Sequence, residues 1–304
     1  MMRMKIFAAI AVSAFVVSCD QDGPSQLKRL DDATIFMNLP SSAAARQSLP
    51  PRYTIFSAEY LTAEESGHVG REIIFSNVGN KQLNADFVPG ISLDGSDAVS
   101  YYIDSKRPSG ELTSEQTGQA ITSAMTTWDG VSCSDLGLFQ VPSSDRITTG
   151  FISKYFGFGG SYDYVADVVH AGWLGAAFFN RLAPQGSTYI LAVTFTIIFT
   201  DDHGVPTDID NNGNLDVAWR EIYYNDAFPW AIGAHYDVET IALHEAGHGL
   251  SQGHFGAAFF DGGKGKLHFS PRAVMNAAYS GIQTAIAKTD HAGHCSNWSS
   301  WPNK

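Results

Sequence analysis

The stretch His244-Glu-Ala-Gly-His248-Gly-Leu-Ser-Gln-Gly-His254 places three imidazoles and one carboxylate within eleven residues. On a helix, residues four apart share a face, so His244 and His248 can grip one metal ion. Glu245 leans over the same site, where it can take a proton from metal-held water. A third ligand must come from farther along the chain. No glutamate follows Glu245, which argues against a His/His/Glu site completed from a later helix. The downstream candidates are His254, His268, His291, His294, Asp261 and Asp290. His254 is favoured, because Gly253 just before it can adopt the left-handed conformation that ends a helix and turns the chain back.

A bare His-Glu-x-x-His pattern also arises by chance in long chains, so its surroundings carry weight. Asp237 reads as the N-cap of the helix, with Ile241 and Leu243 available to anchor it in a core. The segment from Ser270 to Tyr279 puts Met275 in a turn-like setting 21 residues after His254. On these residues the chain resembles the metzincin clan of zinc metallopeptidases, most closely its matrixin-like bacterial members, over a region from about residue 97 to about 285. The resemblance implies an α/β (α+β) catalytic domain: a twisted, mostly parallel sheet with an antiparallel edge strand, a zinc-binding helix and a Met-turn. It implies that His244, His248 and His254 hold zinc, that Glu245 is the general base, and that Met275 floors the site without binding metal. Tyr279 lines the pocket wall or donates to the transition state. One departure stands out: Ser251 occupies the clan's usual glycine position three residues after the second histidine. Either Gly253 takes over the turn or the helix ends differently.

With 304 residues, 44% of them hydrophobic, the chain can bury a substantial core, and one sizeable domain plus an N-terminal extension is expected. A net charge of -12 makes nucleic acid an unsuitable partner. Arg3 and Lys5 precede an apolar run from Ile6 to Val17, and Val16-Val17-Ser18-Cys19 resembles a bacterial lipobox. The expected organisation is a signal peptide over 1–18, lipid-bearing Cys19 opening a polar tether over 19–52, a segment of uncertain role over 53–90, and the catalytic domain over 91–304. An ordinary cleaved signal is the alternative. The expected location is the bacterial cell envelope or the exterior. Partners would be a peptide or protein substrate and a membrane reached through the anchor, with the chain itself a monomer.

Setting Cys19 aside leaves Cys133 and Cys295, which an exported protein would join as a disulfide; two buried free thiols are the rival reading. No cysteine lies between Cys19 and Cys133. The inhibitory cysteine of matrixin propeptides therefore has no counterpart, and any latency needs another device. Alternation predicts a strand over Ala98–Ile103, and Thr113 with Gln116 forms a capping box for a helix whose core face is Ile121, Ala124, Met125 and Trp128. Strands are expected over Val165–Val169 and Ile190–Thr200, and around Tyr53–Phe56 and Glu72–Phe75. By the resemblance, Ile190–Thr200 is the edge strand on which an extended substrate aligns. His170, Asp167 and His235 read as structural or surface groups.

A second constellation, Asp208-Ile-Asp210-Asn-Asn212-Gly-Asn214-Leu-Asp216, carries oxygens at alternating positions around Gly213, as Ca²⁺ loops do. Trp219 stands where such a loop has its bidentate glutamate, and an Asn/Asp/Gly turn that binds nothing is the competing reading. The function expected is peptide hydrolysis with one catalytic Zn²⁺. The alternatives are a non-catalytic, calcium-stabilised envelope lipoprotein and a metal-dependent hydrolase of a non-peptide bond.

Overall fold

The computed structural model describes residues 29–30, 35–36, 53–64, 66–74, 85–260 and 266–303. The lipobox with Cys19, nearly all of the expected tether, and Asp261 lie outside them. In chain order the strands are β1 (Arg29–Leu30), β2 (Ile35–Phe36), β3 (Tyr53–Thr62), β4 (Glu72–Ile74), β5 (Ala85–Asp86), β6 (Ser100–Ile103), β7 (Phe139–Gln140), β8 (Val168–Leu174), β9 (Ile190–Phe199), β10 (Leu215–Asn225), β11 (Ala257–Phe260) and β12 (Leu267–Ser270). The helices are α1 (Ser114–Asp129), α2 (Phe151–Tyr155), α3 (Ala176–Leu182), α4 (Val238–Gly249) and α5 (Lys288–Trp298).

The architecture is mixed α/β around a mostly parallel central sheet. Its order is β2-β4-β3-β9-β10-β8-β6-β7, with β5 added to β10. Strands β7, β6, β8 and β10 run parallel; β9 is antiparallel to both β10 and β3. Side chains alternate between two cores, as strand geometry requires. Ile222 and Tyr224 of β10 face α1 and α4 with Met125, Trp128, Ile241 and Leu243, whereas Tyr223 faces the opposite layer with Phe151, Phe178, Phe179 and Phe195. Helix α1 opens on the capping box read from the sequence: Thr113 accepts from the Gln116 backbone, and the Gln116 side chain closes back on the Thr113 backbone.

Strand β9 corrects one expectation. It is not an edge strand, because β3 pairs with it along its whole length, from Tyr53 opposite Phe199 to Thr62 opposite Ile190. The near-continuous apolar run Ile190–Phe199 fits an interior strand covered on both faces and paired on both sides. The segment 53–90 thus contributes β3, β4 and β5 to the same sheet that helix α4 packs against. A smaller shift concerns Val165–Val169: the strand starts at Val168 and runs to Leu174. Upstream of it, the Asp167 carboxylate accepts from the Ser100 amide (2.8 Å), the Ser100 and Ser92 hydroxyls and the Tyr164 hydroxyl. That satisfies a buried charge in place of a sheet ladder. His170 is buried with Nδ1 2.8 Å from the Tyr224 hydroxyl.

Cys133 and Cys295 are joined, with 5.7 Å between their Cα atoms and a sequence separation of 162. The bond ties the segment after α1 to α5. Closing so long a loop removes conformational freedom from the unfolded chain. Cys295→Ser is expected to lower unfolding free energy by about 2–5 kcal/mol in denaturant titrations, matched by reductant on the parent chain.

Burial holds His170 down to about 3, below the ordinary histidine value. The unfolded chain therefore takes up a proton that the native state refuses. His170's contribution is fully present above about pH 6.5 and is lost as pH falls toward about 3. Replacing His170 with Phe is expected to flatten that part of the stability profile, measured by thermal unfolding across pH.

Candidate metal centre

Helix α4 is held from both ends. At its start the Asp237 carboxylate accepts from the Thr240 amide (2.8 Å) and hydroxyl (2.6 Å), which makes it the expected N-cap. In its middle, Trp128 Nε1 donates to the Leu243 carbonyl at 2.8 Å, locking α4 onto α1. Nearly every α4 residue is buried, including both histidines and Glu245.

The imidazoles are aimed by their Nδ1 atoms. His244 Nδ1 lies 2.7 Å from the Val274 carbonyl and His248 Nδ1 2.7 Å from the Gln252 carbonyl. A carbonyl only accepts, so each Nδ1 carries the proton and each Nε2 presents a lone pair. Those lone pairs converge: His248 Nε2 is 3.0 Å from His244 Nε2 and 3.2 Å from His254 Nε2. Burial, reinforced by His248 and His254, keeps His244 well below the ordinary histidine range and hence neutral. Glu245 adds another acceptor. Its Oε2 takes the Thr194 hydroxyl at 2.6 Å, while its Oε1 is fully buried without a hydrogen-bond partner. Burial pushes this carboxyl up to about 8, against the pull of the Thr194 hydroxyl and of His254.

Three imidazoles meeting at their Nε2 atoms, beside a buried carboxyl oxygen without a partner, make a cluster that could hold a cation. Nitrogens about 2.0–2.1 Å from a tetrahedral Zn²⁺ would stand roughly 3.3 Å apart, close to the separations found. His244, His248 and His254 are thus brought together, and the residues present fit a zinc ion. The other downstream candidates are not part of the cluster. His268 stacks on Phe259, His291 sits by Cys295, and buried His294 bonds Ser134 and stacks on Trp128.

The turn toward His254 is made differently from either glycine-based expectation. Ser251 itself is left-handed, with φ of 66°, and Gly253 is not. That conformation costs a non-glycine residue about 1–2 kcal/mol. Buried Arg220 compensates: its Nη1 donates to the Ser251 hydroxyl (2.8 Å) and to the Gly249 carbonyl (3.1 Å) at the helix end. Met275 lies where the sequence placed it, buried under α4 with its sulfur against Gly247. Asp290 holds that turn by accepting from the Val274 (2.9 Å) and Met275 (3.1 Å) amides. Tyr279 is buried and lines a small cavity with Thr240, His244 and Val274.

In the loop after β9, carboxylate oxygens of Asp208, Asp210 and Asp216 lie within 4.8 Å of one another. The Asn212 Oδ1 accepts from the Asn214 amide, and both side-chain amides donate to Asp86 of β5.

Four residues at the site were not read from the sequence: Thr194, Arg220, Glu59 and, in its actual role, Asp290. Glu59, on β3, contacts His248 Nδ1, so its carboxylate accepts from the same N–H that the Gln252 carbonyl holds. Burial acts to raise its carboxyl, but His248, His254 and Arg220 together hold it below the usual glutamate value. Thr194 left a trace, since Thr194 and Thr196 interrupt the apolar run two residues apart, marking one face of β9. A scan against protein-family models and a search of curated proteins each find no match.

A Cβ on Gly247 would strike Met275 Sδ and come within 3.2 Å of Trp128. Gly247→Ala is therefore expected to displace Met275, costing about 1–3 kcal/mol of stability in denaturant unfolding.

Proposed function

We propose that this protein is a zinc-dependent endopeptidase of the metzincin clan, matrixin-like, carried in the bacterial envelope on a lipid at Cys19. The observation that carries the reading is the convergence of three Nε2 atoms, with the lone pairs of His244 and His248 turned inward, beside a buried glutamate that has one unpartnered oxygen. His244, His248 and His254 would hold the ion. Bound there, zinc would supply Lewis acidity to polarise the scissile carbonyl and acidify water.

The chain's own contribution is positional. The Val274 and Gln252 carbonyls keep both α4 imidazoles in the ligating tautomer. Thr194 fixes one oxygen of Glu245 and leaves the other free to accept a proton and pass it to the leaving amine. Met275 and Gly247 pack beneath the ligands without offering a competing donor. A hydrolysis of this kind needs no acyl-enzyme.

Calcium at the 208–216 loop is the second part of the proposal, resting on the grouped carboxylates of Asp208, Asp210 and Asp216. Added Ca²⁺ is expected to raise the unfolding temperature, and Asp210→Asn to abolish the rise; an unchanged midpoint in the parent chain would remove this part.

For the zinc reading, about one zinc per chain is expected, with chelator-sensitive cleavage of an unfolded protein. Glu245→Gln should keep zinc and fold while losing at least about 100-fold in turnover. His248→Ala should lose the metal too. Absence of bound zinc, or cleavage that survives Glu245→Gln, would refute the assignment.

A further inference from the structure

If α4 and its ligands form a peptidase site, an extended peptide has to reach it, and the chain has placed its own strand there. Strand β3 adds to β9 antiparallel. On its other side, Thr62 bridges in parallel to Ala278, and the Tyr279 amide donates to the Thr62 carbonyl at 2.8 Å. Thr62 therefore lies between β9 and the segment 277–279, while Glu59 and Tyr60 lie between β9 and the return strand at Arg71 and Glu72, so that β9 receives residues 59–62 as a sheet edge receives an added peptide.

The side chains on the α4 face complete the closure. Leu61 is buried in the small cavity lined by Thr240, His244, Val274, Ala278 and Tyr279. Glu59 contacts His248 Nδ1. After the tip at Gly67 and His68, the chain folds back so that Gly70 N donates to the Ala277 carbonyl at 2.6 Å. At Gly70 a Cβ would collide with the Tyr60 carbonyl, lie 2.5 Å from the Ala277 carbonyl and 3.0 Å from His254 Cε1. Only glycine lets the return strand lie this close to the third ligand. His244 and His248 are left 2% exposed and Glu245 0%.

We propose that residues 53–74 are an internal pseudosubstrate hairpin: β3 takes the place of an extended peptide substrate and keeps the site closed until it is displaced. This rests on the peptidase reading of the same site and supplies the latency device that the chain lacks as a cysteine. Burial of Ile55, Phe56, Ala58, Tyr60 and Leu61 makes the closed arrangement the resting one. Opening it requires a cut or a partner that takes over those contacts.

The test is carried out first on the metal-free full chain, so that it depends on neither zinc nor turnover. Diethyl pyrocarbonate modification of each histidine is followed by mass spectrometry, with exposed His203 as internal reference. His244 and His248 are expected to react at least about tenfold more slowly than His203 in the parent chain. Gly70→Val, which cannot keep the return strand in place, and Leu61→Glu, which puts a charge into the apolar cavity, should each remove most of that protection. Near-UV circular dichroism and cooperative unfolding identify which variants fold, and either one suffices. Protection unchanged in a folded variant, or parent histidines as reactive as His203, overturns the proposal. Zinc-loaded chains then separate the two readings. Faster peptide cleavage by the opened variants than by the parent supports closure, and equal rates overturn it. Histidines that become reactive with no peptide cleaved leave the closure standing and remove the peptidase assignment.

Discussion

The two Nδ1 to carbonyl hydrogen bonds of His244 and His248 are the constraint on which the rest depends. A helix alone places two imidazoles on one face, yet leaves each ring free to rotate and to choose its tautomer. The bonds to Val274 and Gln252 remove both freedoms, and they exist only because two loops are held at fixed positions against α4. One is the turn at 274–275, whose amides are gathered by the Asp290 carboxylate from the start of α5. The other is the turn at 250–253, pinned by Arg220 from below and by Trp298 Nε1, which donates to the Leu250 carbonyl at 2.8 Å. The Cys133–Cys295 bond ties α5 to the segment beyond α1, so the hydrogen bonds behind the two imidazoles are closed covalently.

Electrostatics follow from the same packing. Burial keeps His244 neutral and pushes Glu245 up to about 8. Both effects penalise charge in a site without a counter-ion, and a divalent cation at the converging nitrogens would reverse the balance for Glu245 by direct attraction. Arg220 is the fixed positive charge of this region. It faces the carbonyl end of α4 as well as Glu59, so one buried guanidinium serves the helix terminus and the strand that covers the site.

The sheet explains why that cover is stable. Strand β3 is not a loose flap laid on a finished domain; it adds a full ladder to β9 and places Ile55, Ala58 and Tyr60 in the core opposite α4 while Leu61 joins the core on the α4 side. A strand buried on both faces is retained by apolar burial as well as by backbone pairing.

Much of the site was legible in local spacing. His244, Glu245 and His248 follow from helical periodicity, the Asp237 and Thr113 caps from side chains that can reach the first turn, and the Cys133–Cys295 pair from cysteine arithmetic. These are properties of neighbouring residues, or of the only two cysteines left to pair. The left-handed turn at Ser251 was decided by tertiary structure, because a strained serine is stable only with Arg220 beneath it. Asp290 carries a backbone turn rather than a metal, since a carboxylate's role depends on which amides the fold brings to it. The neighbour of β9 was likewise hidden. An apolar run specifies that a strand is buried, but its partner, here residues 53–62, lies more than a hundred residues away and is selected only when the sheet assembles.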